Sequence, residues 1–241
     1  MTGTPQTPSS LTALELMERQ VRTLFRHDET GGLAAINEVT TETAPRLFVG
    51  RTSEGNIWRV RHDLPSSLVA TLNEILVTEP ITDDLQEPPV SFQCLLDALT
   101  THSPVERIWQ GPAWSFPNEI ELPRGIETVI VSDIELLSAT FGGTLESWVD
   151  CHPCLAVVEQ GIPVAVCFCA RSSAAASEAG VVTLPACRRR GYATAVTASW
   201  ALAIRELGRI PLYSTSWDNF ASQGVARRLG LNLYGVDLHF T

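Results

Sequence analysis

Long apolar runs and targeting signals are absent from the sequence. It contains no run of the roughly 18 apolar residues that a membrane-spanning helix needs, and its most apolar stretch, residues 154–170, is interrupted by Glu159, Gly161 and Pro163. The first ten residues, MTGTPQTPSS, have neither the basic nor the apolar segment of a secretory signal peptide. We therefore expect a cytoplasmic protein that does not interact with membranes.

Positive charge is also scarce. The 241 residues carry 17 Lys and Arg against 27 Asp and Glu, which gives a formal net charge of -10. Nucleic-acid binding draws most of its affinity from phosphate contacts with basic side chains, so this composition argues against a nucleic-acid-binding protein. A hydrophobic fraction of 44% and a charged fraction of 18% are typical of an ordinary globular protein of one large domain or two small ones.

The cysteines give half of a metal-binding pattern. Cys151 and Cys154 form the motif CHPC, but the sequence has neither a second CxxC nor an HxxxH motif to complete a zinc site. Cys167 and Cys169 alternate along a predicted strand and would share one of its faces. A metal or redox site and a set of buried free thiols both fit, and the incomplete spacing favours free thiols, with no bound metal.

Residues 1–115 are predicted to form an N-terminal α/β region that begins with a disordered tail at residues 1–10. Thr12 and Glu15 have the spacing of a capping box, which predicts the start of a helix, and Gly31 with Gly32 predicts its end. We further predict a β-hairpin over residues 46–65, helices over 66–80 and 90–102, a strand over 105–116 that a Gly-Pro pair interrupts, and a proline-rich linker over 112–125.

Residues 126–241 are predicted to form a second domain, in which three adjacent strands precede a helix–strand–helix–strand series. This order predicts a mixed sheet and an α/β (α+β) fold. The predicted elements are a strand over 127–133, a helix over 134–142, a hairpin over 154–173 that turns at Gln160 and Gly161, a strand over 178–184, a helix over 191–207, a strand over 210–217, a helix over 219–230 and a strand over 231–240.

The segment PACRRRGYAT, residues 185–194, places three arginines between a predicted strand and a predicted helix. A helix that starts after a turn offers unpaired backbone N–H groups and the positive end of its dipole. Gly191 allows a close approach to these amides, Ala193 keeps the next turn small, and the arginines add donors for an anion. From the residues alone, a solvated basic loop and a phosphate site are both possible.

The spacing Arg188-x-x-Gly191-x-Ala193 after an apolar strand resembles the Q/R-x-x-G-x-G/A signature of the GNAT superfamily of acyl-CoA-dependent N-acetyltransferases. Downstream, WDNFASQGVARRLGL, which contains Asn219, is similar to that family's N-x-x-[AS] segment. The resemblance covers residues 126–241 and implies a GNAT-like acyltransferase fold in the C-terminal half, with acetyl-CoA as cosubstrate.

The resemblance also implies a set of cofactor contacts. The backbone of the strand before the loop would pair with the pantetheine arm of acetyl-CoA, the loop amides would hold its pyrophosphate, and the asparagine would contact the pantetheine. Arg189 or Arg190 would reach the 3′-phosphate. The implied cofactor-binding residues are Val182, Thr183, Leu184, Arg188, Arg189, Arg190, Gly191, Tyr192, Ala193, Thr194 and Asn219.

Acyl transfer to an amine needs a base for the amine proton, and the leaving thiolate is helped by an acid. Glu178 lies six residues before Leu184, where some family members carry a catalytic carboxylate. The family often places a tyrosine seven residues after the asparagine, but that position is Ala226 here. The substitutes for the acid are Ser222, Tyr192, Tyr213, Tyr234 and water, and a covalent route through Cys187 is conceivable.

The sequence therefore predicts a GNAT-type N-acetyltransferase that transfers an acetyl group from acetyl-CoA to a primary amine in a ternary complex, with Glu178 and Ser222 as catalytic residues. The alternative is a non-catalytic CoA-binding module or regulatory protein. Net acidity weakly favours a cationic amine. Four large aromatic residues are candidates for a substrate pocket or for the core: Trp109, Trp114, Phe116 and Trp148.

Overall fold

The computed structural model of the chain describes residues 11–38, 42–141 and 151–241. The helices are α1 (Ala13–Leu24), α2 (Ser66–Leu76), α3 (Phe92–His102), α4 (Ile134–Phe141), α5 (Tyr192–Glu206) and α6 (Phe220–Arg228). The strands are β1 (Phe25–His27), β2 (Leu33–Ile36), β3 (Leu47–Thr52), β4 (Gly55–Val60), β5 (Ile108–Ser115), β6 (Val129–Ile130), β7 (Leu155–Glu159), β8 (Ile162–Ser172), β9 (Ala176–Thr183), β10 (Ile210–Ser214) and β11 (Asn232–Phe240).

A nine-stranded sheet runs through both halves of the described chain in the order β4-β3-β11-β5-β10-β9-β8-β7-β6. The pair β9 and β10 is parallel, and the other neighbours are antiparallel. This arrangement confirms the predicted α/β class with a mixed sheet. Strands β1 and β2 form a separate two-stranded sheet.

Helix α1 begins as predicted but ends earlier. Thr12 forms both hydrogen bonds of a capping box with Glu15. The helix ends at Leu24, and not at Gly31 and Gly32, because Phe25 already pairs with Ile36 in the β1–β2 hairpin. Burial of Phe25 and its partner strand therefore outweighs helix continuation, and the two glycines lie in the hairpin turn.

The hairpin predicted at Gln160 and Gly161 is confirmed. Gln160 has a φ of 52° and Gly161 a φ of 80°, and this pair of left-handed residues suits the twist of a two-residue hairpin turn. The predicted 46–65 hairpin is confirmed as β3 and β4, and the predicted helices over 66–80, 90–102, 191–207 and 219–230 are confirmed within a few residues.

Strand β5 is continuous and lies inside the sheet, between β11 and β10. A β-carbon at Gly111 would lie 1.8 Å from Thr215 O, so glycine is required where this strand passes the end of β10. Pro112 continues the strand opposite Val236. The predictions of an interruption here, and of a linker that starts at residue 112, are therefore wrong for residues 112–115.

The two faces of the sheet carry different helices. On one face α5 packs on β7, β8, β9 and β10, and its fully buried Trp200 contacts the ring of Phe116 at 6.3 Å. On the other face α1 packs on β3, β9 and β11 through Met17, which is fully buried. Helices α2 and α3 cover β3 and β11 beside α5. None of the helices in the described ranges is long and apolar enough to cross a membrane.

Candidate active site

Strands β9 and β10 part in the middle of the sheet. They pair from Ile210 opposite Ala176 to Leu212 opposite Glu178. Beyond this point β9 continues along β8 to Thr183, whereas Tyr213 pairs with Trp114 of β5. The divergence leaves a wedge-shaped opening whose base is at Glu178.

The backbone of β9 faces this opening with alternate residues. Leu184 N–H donates to Val164 O of β8 at 2.9 Å. Because peptide groups alternate in direction along a strand, Val182 also faces β8, while Val181 and Thr183 face the opening. Of the predicted pantetheine-pairing positions Val182, Thr183 and Leu184, only Thr183 presents its peptide groups to the opening.

The arginine segment has the backbone of an anion-binding turn. Arg189 has a φ of 63° and Gly191 a φ of 86°, so two left-handed residues direct successive amides inwards. Gly191 is the N-cap of α5 and supplies no capping side chain. The first three amides of the helix, those of Tyr192, Ala193 and Thr194, are therefore uncapped donors at the positive end of its dipole.

The side chains around this turn differ in their partners. Arg190 lies 3.5 Å from Glu159, which also accepts a hydrogen bond from the Tyr192 hydroxyl. Arg188 Nε donates to Thr183 O at 3.4 Å. Within the described residues the Arg189 guanidinium, which is exposed, has no hydrogen-bond or ion-pair partner.

Glu178 is a buried carboxylate at the base of the opening. Its side chain accepts a hydrogen bond at Oε1 from Ser214 Oγ at 2.7 Å, whereas Oε2 is buried without a partner in the described part of the chain. Burial raises the pKa of Glu178 to about 7, against the opposing effect of the Ser214 hydrogen bond, and the charge of Asp237 raises it further. Such a carboxyl exchanges protons near neutral pH.

A cavity of about 290 Å³ lies beside Glu178, on the face of the sheet that α1 covers. Ser214 is one of its lining residues, so a single hydroxyl connects the cavity to the buried carboxylate. We call it the Ser214 cavity. Its other lining residues include Phe25, Arg107, Trp109, Arg171 and His239.

Tyr213 and Ser222 form a hydroxyl pair near the same opening. Tyr213 Oη lies 2.6 Å from Ser222 Oγ, and Tyr213 is the residue that follows the last β9–β10 pair. Burial raises the pKa of Tyr213, so its hydroxyl stays protonated at neutral pH. Ala226, which occupies the family's tyrosine position, is buried and contributes to the core under α5.

Asn219 is the N-cap of α6. Its Oδ1 accepts a hydrogen bond from Ser222 N–H at 3.1 Å, and the residue is exposed. This bond fixes the amide and leaves its Nδ2 hydrogens as donors for a ligand at the mouth of the opening.

The remaining candidate tyrosines and aromatic residues lie in different parts of the structure. Tyr192 is turned to Glu159, and the Tyr234 hydroxyl bonds to Gln20 under α1. Trp109 lines the Ser214 cavity, Trp114 and Phe116 belong to the core, and Trp148 lies outside the described residues. Sequence reasoning missed Ser214, Arg171 and Asp237, because only strand register shows that they surround Glu178.

The cysteines of the CHPC motif and of the predicted strand lie inside the protein. Cys151, Cys154, Cys167 and Cys169 are all buried, and burial raises the pKa of Cys154 to about 12. In the part of the chain that the structure describes, no group of three or more His, Cys, Asp or Glu side chains is arranged to hold a metal ion.

A sequence model of one family, GNAT acetyltransferase, matches residues 151–235. This range contains β7 to β10, the arginine turn and Asn219, and the match confirms the resemblance that the Arg188–Ala193 spacing carries. No curated protein matches the chain.

Several solved structures are similar to this chain. The GCN5-related N-acetyltransferase-like protein from Streptococcus suis 89/1591 shares 17% identity over 95% of this chain and 100% of its own, with a TM-score of 0.49. The GCN5-related N-acetyltransferase from Sphaerobacter thermophilus shares 17% over 98% and 94%, with a TM-score of 0.48. A putative GNAT-family acetyltransferase from Novosphingobium aromaticivorans shares 18% over 56% of this chain and 65% of its own, with a TM-score of 0.46.

Proposed function

Because the chain belongs to the GNAT acetyltransferase family through residues 151–235, we propose that it is an N-acetyltransferase that transfers an acetyl group from acetyl-CoA to a primary amine in a ternary complex. The observation that carries the proposal is the Glu178–Ser214 hydrogen bond. It places a carboxylate with a pKa of about 7 at the base of the β9–β10 opening and connects it to a cavity that can hold an amine.

The residues around the opening fit acetyl-CoA. The uncapped amides of Tyr192, Ala193 and Thr194 suit the pyrophosphate, with Arg188, Arg190 and Gly191 in the same turn. Thr183 and Val181 offer backbone groups to the pantetheine amides, as an added strand would use them. Arg189, whose guanidinium has no partner in the described residues, is the candidate for the 3′-phosphate, and Asn219 Nδ2 is a donor for the pantetheine arm.

Glu178 acts as the base through Ser214. The acceptor amine donates a proton to Ser214 Oγ while Ser214 passes its own proton to Glu178 Oε1, which is 2.7 Å away. The amine nitrogen then forms a bond to the thioester carbonyl carbon, and the carbon–sulfur bond breaks. A backbone N–H of β9 at the opening polarises the carbonyl.

The Tyr213–Ser222 pair supplies the proton for the leaving thiolate. Ser222 is half-buried, with its hydroxyl 2.6 Å from Tyr213 Oη, and the buried tyrosine can reprotonate it. This arrangement assigns to a hydroxyl pair the role that a tyrosine at position 226 has in many family members. A non-catalytic CoA-binding module would not need such a proton donor.

The test combines binding with turnover. Acetyl-CoA is titrated into the full chain by calorimetry, and release of free thiol is then measured across a panel of primary amines with wild type and Glu178→Gln. Binding with Glu178-dependent turnover is the expected result. Binding without turnover on any amine would favour the non-catalytic module, and no binding of acetyl-CoA would contradict both functions.

A further inference from the structure

The Ser214 cavity has an apolar half made by two elements. Leu24, Phe25 and Ile36, from the end of α1 and the β1–β2 hairpin, form one wall and are buried. The His239 ring contacts Phe25 edge-on, with ring centroids 5.4 Å apart, and Trp109 stacks on His239 with ring centroids 4.8 Å apart and planes 27° from parallel. This continuous aromatic wall can pack against a flat or branched apolar group, because aromatic side chains offer area without many alternative rotamers.

Next to this aromatic wall, the Arg171 side chain is fixed by two contacts. Its Nε donates to Glu38 Oε1 at 2.6 Å, and its Cζ lies 6.0 Å from the centroid of the Phe25 ring. Both contacts fix the side chain, which is 22% exposed. No hydrogen bond of its two terminal nitrogens occurs within the described ranges, so they can take a carboxylate in the two-point geometry that arginine favours.

Arg171 and Ser214 flank Glu178 on opposite sides. Arg171 is the register partner of Glu178 on β8, and Ser214 bonds to Glu178 from β10. Strands two apart in a sheet are separated by about 10 Å, so the long Arg171 side chain and the Ser214 hydroxyl can meet the carboxylate and the amine of one small molecule. Asp237, a fully buried carboxylate beside His239, adds negative charge at the amine side.

We propose that the acceptor is an α-amino acid with an apolar or aromatic side chain, bound with its carboxylate on Arg171, its amine on Ser214 and its side chain against the aromatic wall of Phe25, His239 and Trp109. The proposal rests on the function proposed above and specifies its acceptor. The cavity volume of about 290 Å³ suits a molecule of this size.

Arg107 provides a matched control. It lines the same cavity, but it precedes β5, six residues from Ala113, the register partner of Ser214. At about 3.3 Å per residue this places its α-carbon about 20 Å from that of Ala113. Arg107→Ala removes the same charge from the cavity without touching the Arg171 position.

The test compares L-phenylalanine with 2-phenylethylamine, which lacks only the carboxylate. With wild type and saturating acetyl-CoA we expect kcat/KM to be at least tenfold higher for L-phenylalanine. Arg171→Gln should bring the ratio close to one, mainly through a higher KM for L-phenylalanine. Arg171→Lys should give an intermediate ratio, because it keeps the positive charge but loses the two terminal nitrogens that bind a carboxylate together. The control Arg107→Ala should keep the wild-type ratio.

Three results would overturn the proposal: equal or better use of 2-phenylethylamine by wild type, a ratio that Arg171→Gln leaves unchanged, or an equal effect of Arg107→Ala. If acetyl-CoA binds and other amines react while neither compound does, the acceptor assignment is wrong and the acetyltransferase function stands. If no amine reacts, calorimetry of L-phenylalanine with the CoA-bound protein decides: binding that Arg171→Gln weakens supports the pocket, and absence of binding contradicts it.

Discussion

Ser214 Oγ donates a 2.7 Å hydrogen bond to Glu178 Oε1 across the point at which β9 and β10 separate. Glu178 is the last residue of β9 that pairs with β10, and Ser214 lies two residues beyond its partner Leu212. The bond therefore joins the paired part of the sheet to the wall of the Ser214 cavity. It uses one carboxylate oxygen and leaves the other buried, which is why the carboxyl has a pKa of about 7.

Removal of the Glu178 charge should reduce turnover far more than cofactor affinity. A general base contributes about 10²- to 10⁴-fold to rate, so we expect Glu178→Gln to lower kcat by about 10²-fold or more and to leave the acetyl-CoA Kd nearly unchanged. Steady-state thiol release and calorimetry measure the two effects. Unchanged kcat would place the base elsewhere.

The pH dependence of kcat should report the same carboxyl. Because the pKa of Glu178 is raised to about 7, the group is protonated and inactive as a base below this pH and ionised above it. We expect kcat to rise with pH through about 7 and then level off, and Glu178→Gln to lose this limb. A wild-type profile that is flat between pH 5 and 8 would contradict the assignment.

The free energy of unfolding should fall with rising pH, whereas kcat should rise. The folded-state pKa of Glu178 lies above its ordinary value of 4.5, so the folded chain binds a proton more tightly than the unfolded chain. Between these values the free energy of unfolding should fall as pH rises, by about 3 kcal/mol from this group alone. Urea unfolding at pH 5 and pH 8 measures the loss, which should shrink by about this amount in Glu178→Gln. An equal loss in both proteins would show that folding does not raise the pKa of Glu178.

Gly191→Glu should abolish acetyl-CoA binding. The substitution puts a side chain at a φ of 86°, 3.3 Å from Ile126 Cδ1, and a negative charge beside the anion-binding amides. Gly208, which follows the other end of α5 with a φ of 72° and open space around it, gives the matched control Gly208→Glu. Calorimetry should detect binding by the control alone. Normal binding by both variants would mean that the phosphates lie elsewhere.

Tyr213→Phe should slow transfer if the Tyr213–Ser222 pair protonates the thiolate. We expect a fall in kcat of about tenfold, less than for the base, because thiolates leave readily. Tyr192→Phe removes a hydroxyl that bonds to Glu159 instead, and its kcat should match that of wild type. Equal rates for all three proteins would assign the proton to water.

The parts of this structure that local chemistry determines could be predicted from the sequence. The Thr12 capping box, the Gln160–Gly161 turn and the start of α5 after Gly191 each depend on a few neighbouring residues. The match to a known signature added the family. Of the predicted cofactor contacts, the turn before α5 follows from this local chemistry, whereas the β9 residues that face the opening depend on strand pairing.

The acceptor side could not be predicted in the same way. Ser214 and Glu178 are 36 residues apart, and they meet only because of the β9–β10 register. Arg171 reaches Glu178 through a β-bulge in the β8–β9 pair, between Cys169 and Arg171. The position of β5 is set by packing in the sheet, which outweighs the turn preference of its Gly-Pro pair.

Strand β5 also sets an order of events during synthesis. It leaves the ribosome about 100 residues before β10 and about 120 before β11, yet it must lie between them, and such distant pairings form late. A nascent chain that already carries the arginine turn still lacks β10, whose Tyr213 pairs with Trp114 of β5 and so departs from β9. We therefore expect the ability to bind acetyl-CoA to be among the last properties that the growing chain acquires.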